Sequence, residues 1–220
     1  MPNPRLRLAA LAPLAAALAL SACAKQGELV VGQGGAGITA VTTKCPAAGI
    51  PDYTGDITLF RQGGAQLASD IDVTAAMTNL RVTCNDTGER VYSEATFDVF
   101  ARRADTRGAR QVSLPYFVTV LRGGGAVVSK QVGSVTIDFA DGAERGRGSG
   151  KAGAFVLAAE ATLPEEIRTQ ITRERKAGDP DAALDPLTDP AVRAAIQRAS
   201  FELLVGFNLT QPQLAYNVTR

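Results

Sequence analysis

The chain has 220 residues, 23 Lys+Arg against 22 Asp+Glu, and neither histidine nor tryptophan. A net charge of +1 speaks against nucleic acid as the main partner, because phosphate binding needs a basic face. Absent histidine removes the commonest metal ligand and general base, and with it Ser–His–Asp and Cys–His catalysis.

The chain opens MPNPRLRLAA, with Arg5 and Arg7 ahead of an Ala/Leu run over residues 8–20 broken by Pro13. The run is shorter than the roughly 20 apolar residues of a membrane-spanning helix and fits the apolar core of a secretory signal. Leu20-Ser21-Ala22-Cys23 then resembles the lipobox of bacterial lipoproteins. That resemblance implies cleavage after residue 22 and acylation of Cys23, with palmitate-type chains anchoring the protein in a membrane. Ala24, where an aspartate would retain the protein in the inner membrane, implies by the same resemblance the outer membrane, facing the periplasm. The alternative is an ordinary secretory signal with a chance cysteine.

Residues 23–44 are rich in Gly, Ala and Thr and read as a lipidated tether. Gly32-Gln33-Gly34-Gly35-Ala36-Gly37 matches G-x-G-x-x-G, but β-branched residues and Pro46 follow where a dinucleotide site needs a helix. No cofactor is expected. With Cys23 assigned to lipid, Cys45 and Cys84 form an even pair and read as one disulfide in an oxidising compartment. The alternative is two buried free thiols.

From Cys45 to the end, residues 45–220 read as one domain. Ile57 and Leu59 open an alternating strand. Ile71, Val73, Ala75 and Met77 share a face opposite Asp70, Asp72 and Thr74; the phase then slips to Leu80, Val82 and Cys84, which predicts a β-bulge near Thr78-Asn79. Asn85-Asp86-Thr87-Gly88 predicts a turn. Val91, Ser93, Ala95, Phe97 and Val99 continue the alternation, and 111–122 and 126–139 form a pair of strands around Gly123-Gly124-Gly125. Residues 141–150 read as a loop, and 151–162 as a further strand.

Helical spacing then takes over. Thr162-Leu163-Pro164-Glu165 has the form of a capping box, Leu163, Ile167 and Ile171 make a narrow apolar stripe, and Arg173, Arg175 and Lys176 fill the last turn before Gly178. The aspartates of 179–190 depart from EF-hand spacing, so no metal is expected. Asp189-Pro190 caps a second helix with Val192, Ala195, Ile196 and Ala199 inward. Phe201 to Leu209 alternates as the closing strand, and a turn at Thr210-Gln211-Pro212 leads to Leu214, Tyr216 and Val218.

This pattern predicts a mainly β, antiparallel immunoglobulin- or fibronectin-like sandwich with a two-helix insertion at about 163–199, before the last strand. The insertion is the segment expected to meet a partner, since excursions on rigid scaffolds often carry recognition. The lipobox, Cys45-Pro46, Arg81-Val82-Thr83-Cys84, Leu114-Pro115-Tyr116-Phe117-Val118 and Leu204-Val205-Gly206-Phe207-Asn208-Leu209 together resemble a group of alphaproteobacterial outer-membrane-type lipoproteins with no known activity. The resemblance implies location and fold. No catalytic constellation stands out, so the expectation is a non-enzymatic binding or structural accessory module of the cell envelope with an unidentified protein partner. The alternative is a small-ligand carrier or a hydrolase working with carboxylates alone.

Overall fold

The computed structural model describes residues 43–61, 66–173, 176, 178–181 and 183–219. The segment expected to be a signal sequence, Cys23, most of the segment expected to be a tether with its glycine motif, and Arg175 lie outside them.

Among the described residues eight strands form two four-stranded sheets: β1 (Ala47–Gly49), β2 (Asp56–Phe60), β3 (Ile71–Asn85), β4 (Arg90–Arg103), β5 (Arg110–Arg122), β6 (Ala126–Phe139), β7 (Arg145–Leu157) and β8 (Phe201–Phe207). One sheet runs β1-β8-β5-β6 and the other β2-β3-β4-β7. All pairings are antiparallel except β1 with β8, which is parallel. The alternating residues of both sheets meet in one core, including Val73, Phe97 and Val99 from one side and Leu114, Ile137, Leu203 and Phe207 from the other. Three consecutive strands, β2 to β4, are neighbours in one sheet. The constant-type immunoglobulin order, ABED against CFG, places no three consecutive strands together.

The phase slip in β3 is real. Register shifts between Thr78 and Arg81, and Asn79 takes φ 54°, a conformation asparagine tolerates better than most side chains. Asn79 donates to Asp98 at 2.7 Å and accepts from Arg81 at 3.1 Å, so the bulge is held on both sides. The β5–β6 hairpin turns on Gly123 (φ 62°) and Gly124 (φ 76°), as the triple glycine predicts.

Residues 145–150 are strand, not loop. Their period of two is hidden because the inward positions are glycines: Gly146, Gly148 and Gly150 pair with Ala101, Val99 and Phe97, all inward residues of β4. A Cβ at Gly150 would stand 2.2 Å from the Phe97 ring, and one at Gly148 2.6 Å from the Thr136 carbonyl oxygen of β6. Glycine therefore allows the edge strands β6 and β7 of the two sheets to close on each other. Tyr116 lies over Gly133 in the same manner, packs edge-on against Phe97 at 5.0 Å and donates to the Lys151 carbonyl at 2.9 Å, bridging the two sheets.

Helix α1 (Glu165–Thr172), helix α2 (Pro190–Ala199) and the 3-10 turn Pro186–Thr188 between them form the insertion. Leu163, Ile171, Val192 and Ala195 make a small core of their own, apart from the sheet core. The expected capping box is absent: Thr162 donates its hydroxyl to the Ala158 carbonyl at 2.6 Å, and Pro164 stands at the cap without a side-chain bond. α1 also ends early, at Thr172. Arg173 is its C-cap and leaves the helix to pair with Asp181. The second cap forms as read, with Asp189 accepting from the Ala191 N–H at 2.8 Å.

The C-terminal residues form a third helix, α3 (Gln211–Thr219), rather than an alternating extension. Its start is a capping interaction in which the Gln213 side chain accepts from both the N–H and the hydroxyl of Thr210. Asn217, buried, donates to the Tyr53 and Asp56 carbonyls at 2.8 Å, and Tyr216 meets Phe60 edge-on at 5.1 Å. α3 therefore covers β2.

Candidate binding surfaces

The cysteine pair is a disulfide: Cys45 and Cys84 are bonded with Cα atoms 6.0 Å apart. Cys84 lies on the far half of β3, beyond the reach of β2, whose pairing stops at Ala76. The bridge thus fixes the chain just ahead of β1 to the sheet. Non-reducing peptide mapping should recover Cys45 and Cys84 in one linked peptide; alkylation of both without reduction would contradict the bond.

The insertion offers a cleft of about 470 Å³ between α1 and residues 181–189. Its aspartates have structural partners. Asp179 accepts from the Lys176 N–H, Asp181 pairs with Arg173, and Asp185 and Asp189 accept from the Leu187 and Ala191 N–H groups. Among the described residues no group of acids has the arrangement of a metal site. Glu165 of the acidic pair at the start of α1 is held by Arg168 at 2.5 Å. The insertion is tied to the sheets through Arg122, which donates to the Arg198 carbonyl at 2.6 Å, pairs with Glu160 at 3.2 Å and lies 5.5 Å from the Phe201 ring centre.

Asp72, on the solvent face of β3 in the sequence reading, instead joins the sheets. Arg110 of β5 donates to both of its oxygens, at 2.7 and 2.6 Å. These bonds hold the Asp72 carboxyl below its ordinary range. A depressed carboxylate stabilises the fold above its unfolded pKa, and the contribution is lost as pH falls through the folded one.

Two features were not singled out in the sequence. Arg103 is 1% exposed and donates four bonds to backbone carbonyls in the loops 104–109 and 140–144; its role is to tie those loops. The other is a shallow groove of about 570 Å³ on the outer face of the β2-β3-β4-β7 sheet, lined among others by Asp56, Thr74, Ala76, Phe100, Arg102 and Arg145. The signal for it was the Arg145-Gly-Arg147-Gly alternation, which puts both arginines outward once 145–150 is strand.

No protein-family model, curated protein or solved structure matches this chain. The surfaces above are therefore weighed on their own chemistry. The insertion cleft, with Glu166, Arg173, Asp181 and Leu184 in its lining, and the sheet groove, with Arg102, Arg145 and Phe100, each present charge and apolar contact of the kind that binds.

Proposed function

We propose that the protein is a lipid-anchored, periplasm-facing envelope module, held in the outer membrane through Cys23, that acts as a non-enzymatic binding or structural accessory to another envelope protein. The observation that carries this reading is the Cys45–Cys84 bridge. Structural disulfides belong to oxidising compartments, and this one lies about twenty residues beyond a lipobox-like Leu20-Ser21-Ala22-Cys23. The anchored segment would then end at a covalent staple, so that strain on the tether passes into β3 rather than unravelling β1. The immunoglobulin- or fibronectin-like description enters at the level of architecture: two sheets around one core support it, with the strand orders β1-β8-β5-β6 and β2-β3-β4-β7.

Cys23→Ala tests the anchor. The variant should leave the detergent phase and lack the mass of the acyl chains, or remain as uncleaved precursor. Unchanged detergent partitioning together with unchanged mass would end the reading.

A further inference from the structure

The outer face of the β2-β3-β4-β7 sheet carries a feature that an anchored accessory does not by itself need. Cross-strand rows there read Thr74, Arg102, Arg145 and then Ala76, Phe100, Arg147. Arg102 and Arg145 are direct partners across β4 and β7, and like charges directly opposite each other destabilise a sheet. Glu144 engages Arg102, with an Nε–Oε1 distance of 2.6 Å. Among the described residues no acid pairs with Arg145 or Arg147, whereas Arg107, Arg110, Arg122, Arg168 and Arg173 each have one. Phe100, in the row with Arg147, is 53% exposed. The groove beside it has a floor of small residues, Thr74 and Ala76, and Asp56 on its far side.

We infer that this groove, together with Arg147 on the next row of the same sheet face, binds an extended acidic peptide segment of a partner protein. Arg145 and Arg147 are two residues apart on one face of a strand, a repeat of roughly 6.6–6.8 Å. A peptide in extended conformation repeats its own same-face side chains at that distance, so carboxylates at alternate positions meet the two guanidinium forks in register. Arginine binds carboxylate through paired N–H donors. Phe100 supplies an apolar contact in the row of Arg147. The surface is separate from the insertion and does not depend on Cys23 or its acylation, so it goes beyond the anchored-module reading.

The test uses the full chain in detergent solution and a fluorescein-labelled peptide of alternating Glu and Val, read by fluorescence anisotropy, with a Gln-Val peptide as control. The Glu-Val peptide should bind, the Gln-Val peptide should bind about tenfold more weakly, and binding should vanish near 1 M salt, where the Debye length is about 3 Å. Arg145→Ser/Arg147→Ser should lose about tenfold in affinity with a melting temperature no lower than that of the wild type, and Phe100→Thr should lose several-fold. The single exposed change Arg147→Glu should lower affinity in the same direction, and Arg145→Glu/Arg147→Glu should reverse the preference toward a Lys-Val peptide. Absence of Glu-Val binding, equal binding of the Gln-Val peptide, or full affinity in the folded arginine variants would overturn the proposal. Capture by phosphatidylglycerol vesicles that the Glu-Val peptide does not compete away would also overturn it, in favour of an anionic lipid surface.

Discussion

Arg103→Met should destabilise the domain by about 4 kcal/mol, the scale of breaking a buried charged network from one side. Arg103 ends the inward-facing row of β4 and is almost wholly buried. Its Nε donates to the Ala143 carbonyl at 2.8 Å, Nη1 to Gly108 at 2.8 Å, and Nη2 to Thr106 at 2.7 Å and Ala140 at 2.8 Å. The guanidinium also lies 5.2 Å from the Phe139 ring centre. Among the described residues no carboxylate forms an ion pair with this cation. Four carbonyl dipoles hold it, and they belong to the two loops that connect β4 to β5 and β6 to β7. Methionine keeps the apolar stem and removes all four donors. Each buried carbonyl left without a partner costs about 1–3 kcal/mol, reduced where the loops open to water. Arg103→Lys, with an ammonium that reaches fewer of the four, should fall between. Arg107→Met is the control, since the Arg107 side chain is 89% exposed and pairs only with Asp105, and it should stay within about 0.5 kcal/mol of wild type. Urea denaturation of the four proteins measures the differences. If the Arg103→Met midpoint lies with that of Arg107→Met, the loops are held by their own backbone bonds, such as Gly142 N–H to Thr106 at 2.9 Å, and not by the arginine.

The inward row of β4 was legible in the sequence up to Val99, and the same period continues through Ala101 to Arg103. What could not be read was the burial of that last position. It is made by the loop that directly follows Arg103 together with the loop 140–144, whose Ala143 lies 40 residues away and comes over it only when the two sheets close. The disulfide was legible from parity, because one cysteine of three was already assigned. The β3 bulge was legible from a phase slip, because a buried face makes each one-residue shift visible. β7 was not, because periodicity is read from apolar side chains and its inward positions have none. Arg145 and Arg147 were lost with it, since a residue in a supposed loop has no face. The helix starts show how local signals compete. Thr162-x-x-Glu165 and Thr210-x-x-Gln213 share one signature, yet only the second becomes a cap. Thr162 is drawn back to the Ala158 carbonyl by the turn that ends β7, whereas Thr210 follows β8 and closes on Gln213 with both its N–H and its hydroxyl. Pro212, which suggested a turn, is compatible with the first turn of a helix, where the missing N–H costs nothing.

Gly148→Val should cost about 3 kcal/mol, at the upper end of the range for overpacking a filled interior. On propensity alone the change favours a strand, because valine loses less backbone freedom than glycine and suits a pleated surface. Close approach decides the sign. A Cβ at 148 would lie 2.6 Å from the Thr136 carbonyl oxygen, 2.9 Å from the Ile137 side chain and 2.9 Å from Val135. The first contact is backbone of β6, and Val135 and Ile137 are buried core residues, so no side chain can swing clear. The strain has one outlet, which is separation of β6 from β7 along the seam where the two sheets meet. Gly148→Ala should show most of the same loss, because the clash begins at Cβ, and this distinguishes close approach from simple excess volume. Gly88→Ala in the β3–β4 turn has nothing within 4 Å of its added carbon and should be near neutral. Thermal melts of the three variants settle the matter. A Gly148→Ala protein as stable as Gly88→Ala would mean that the β6–β7 seam is loose enough to accept a side chain, and that the alternating glycines of β7 are there for some reason other than closing the two sheets.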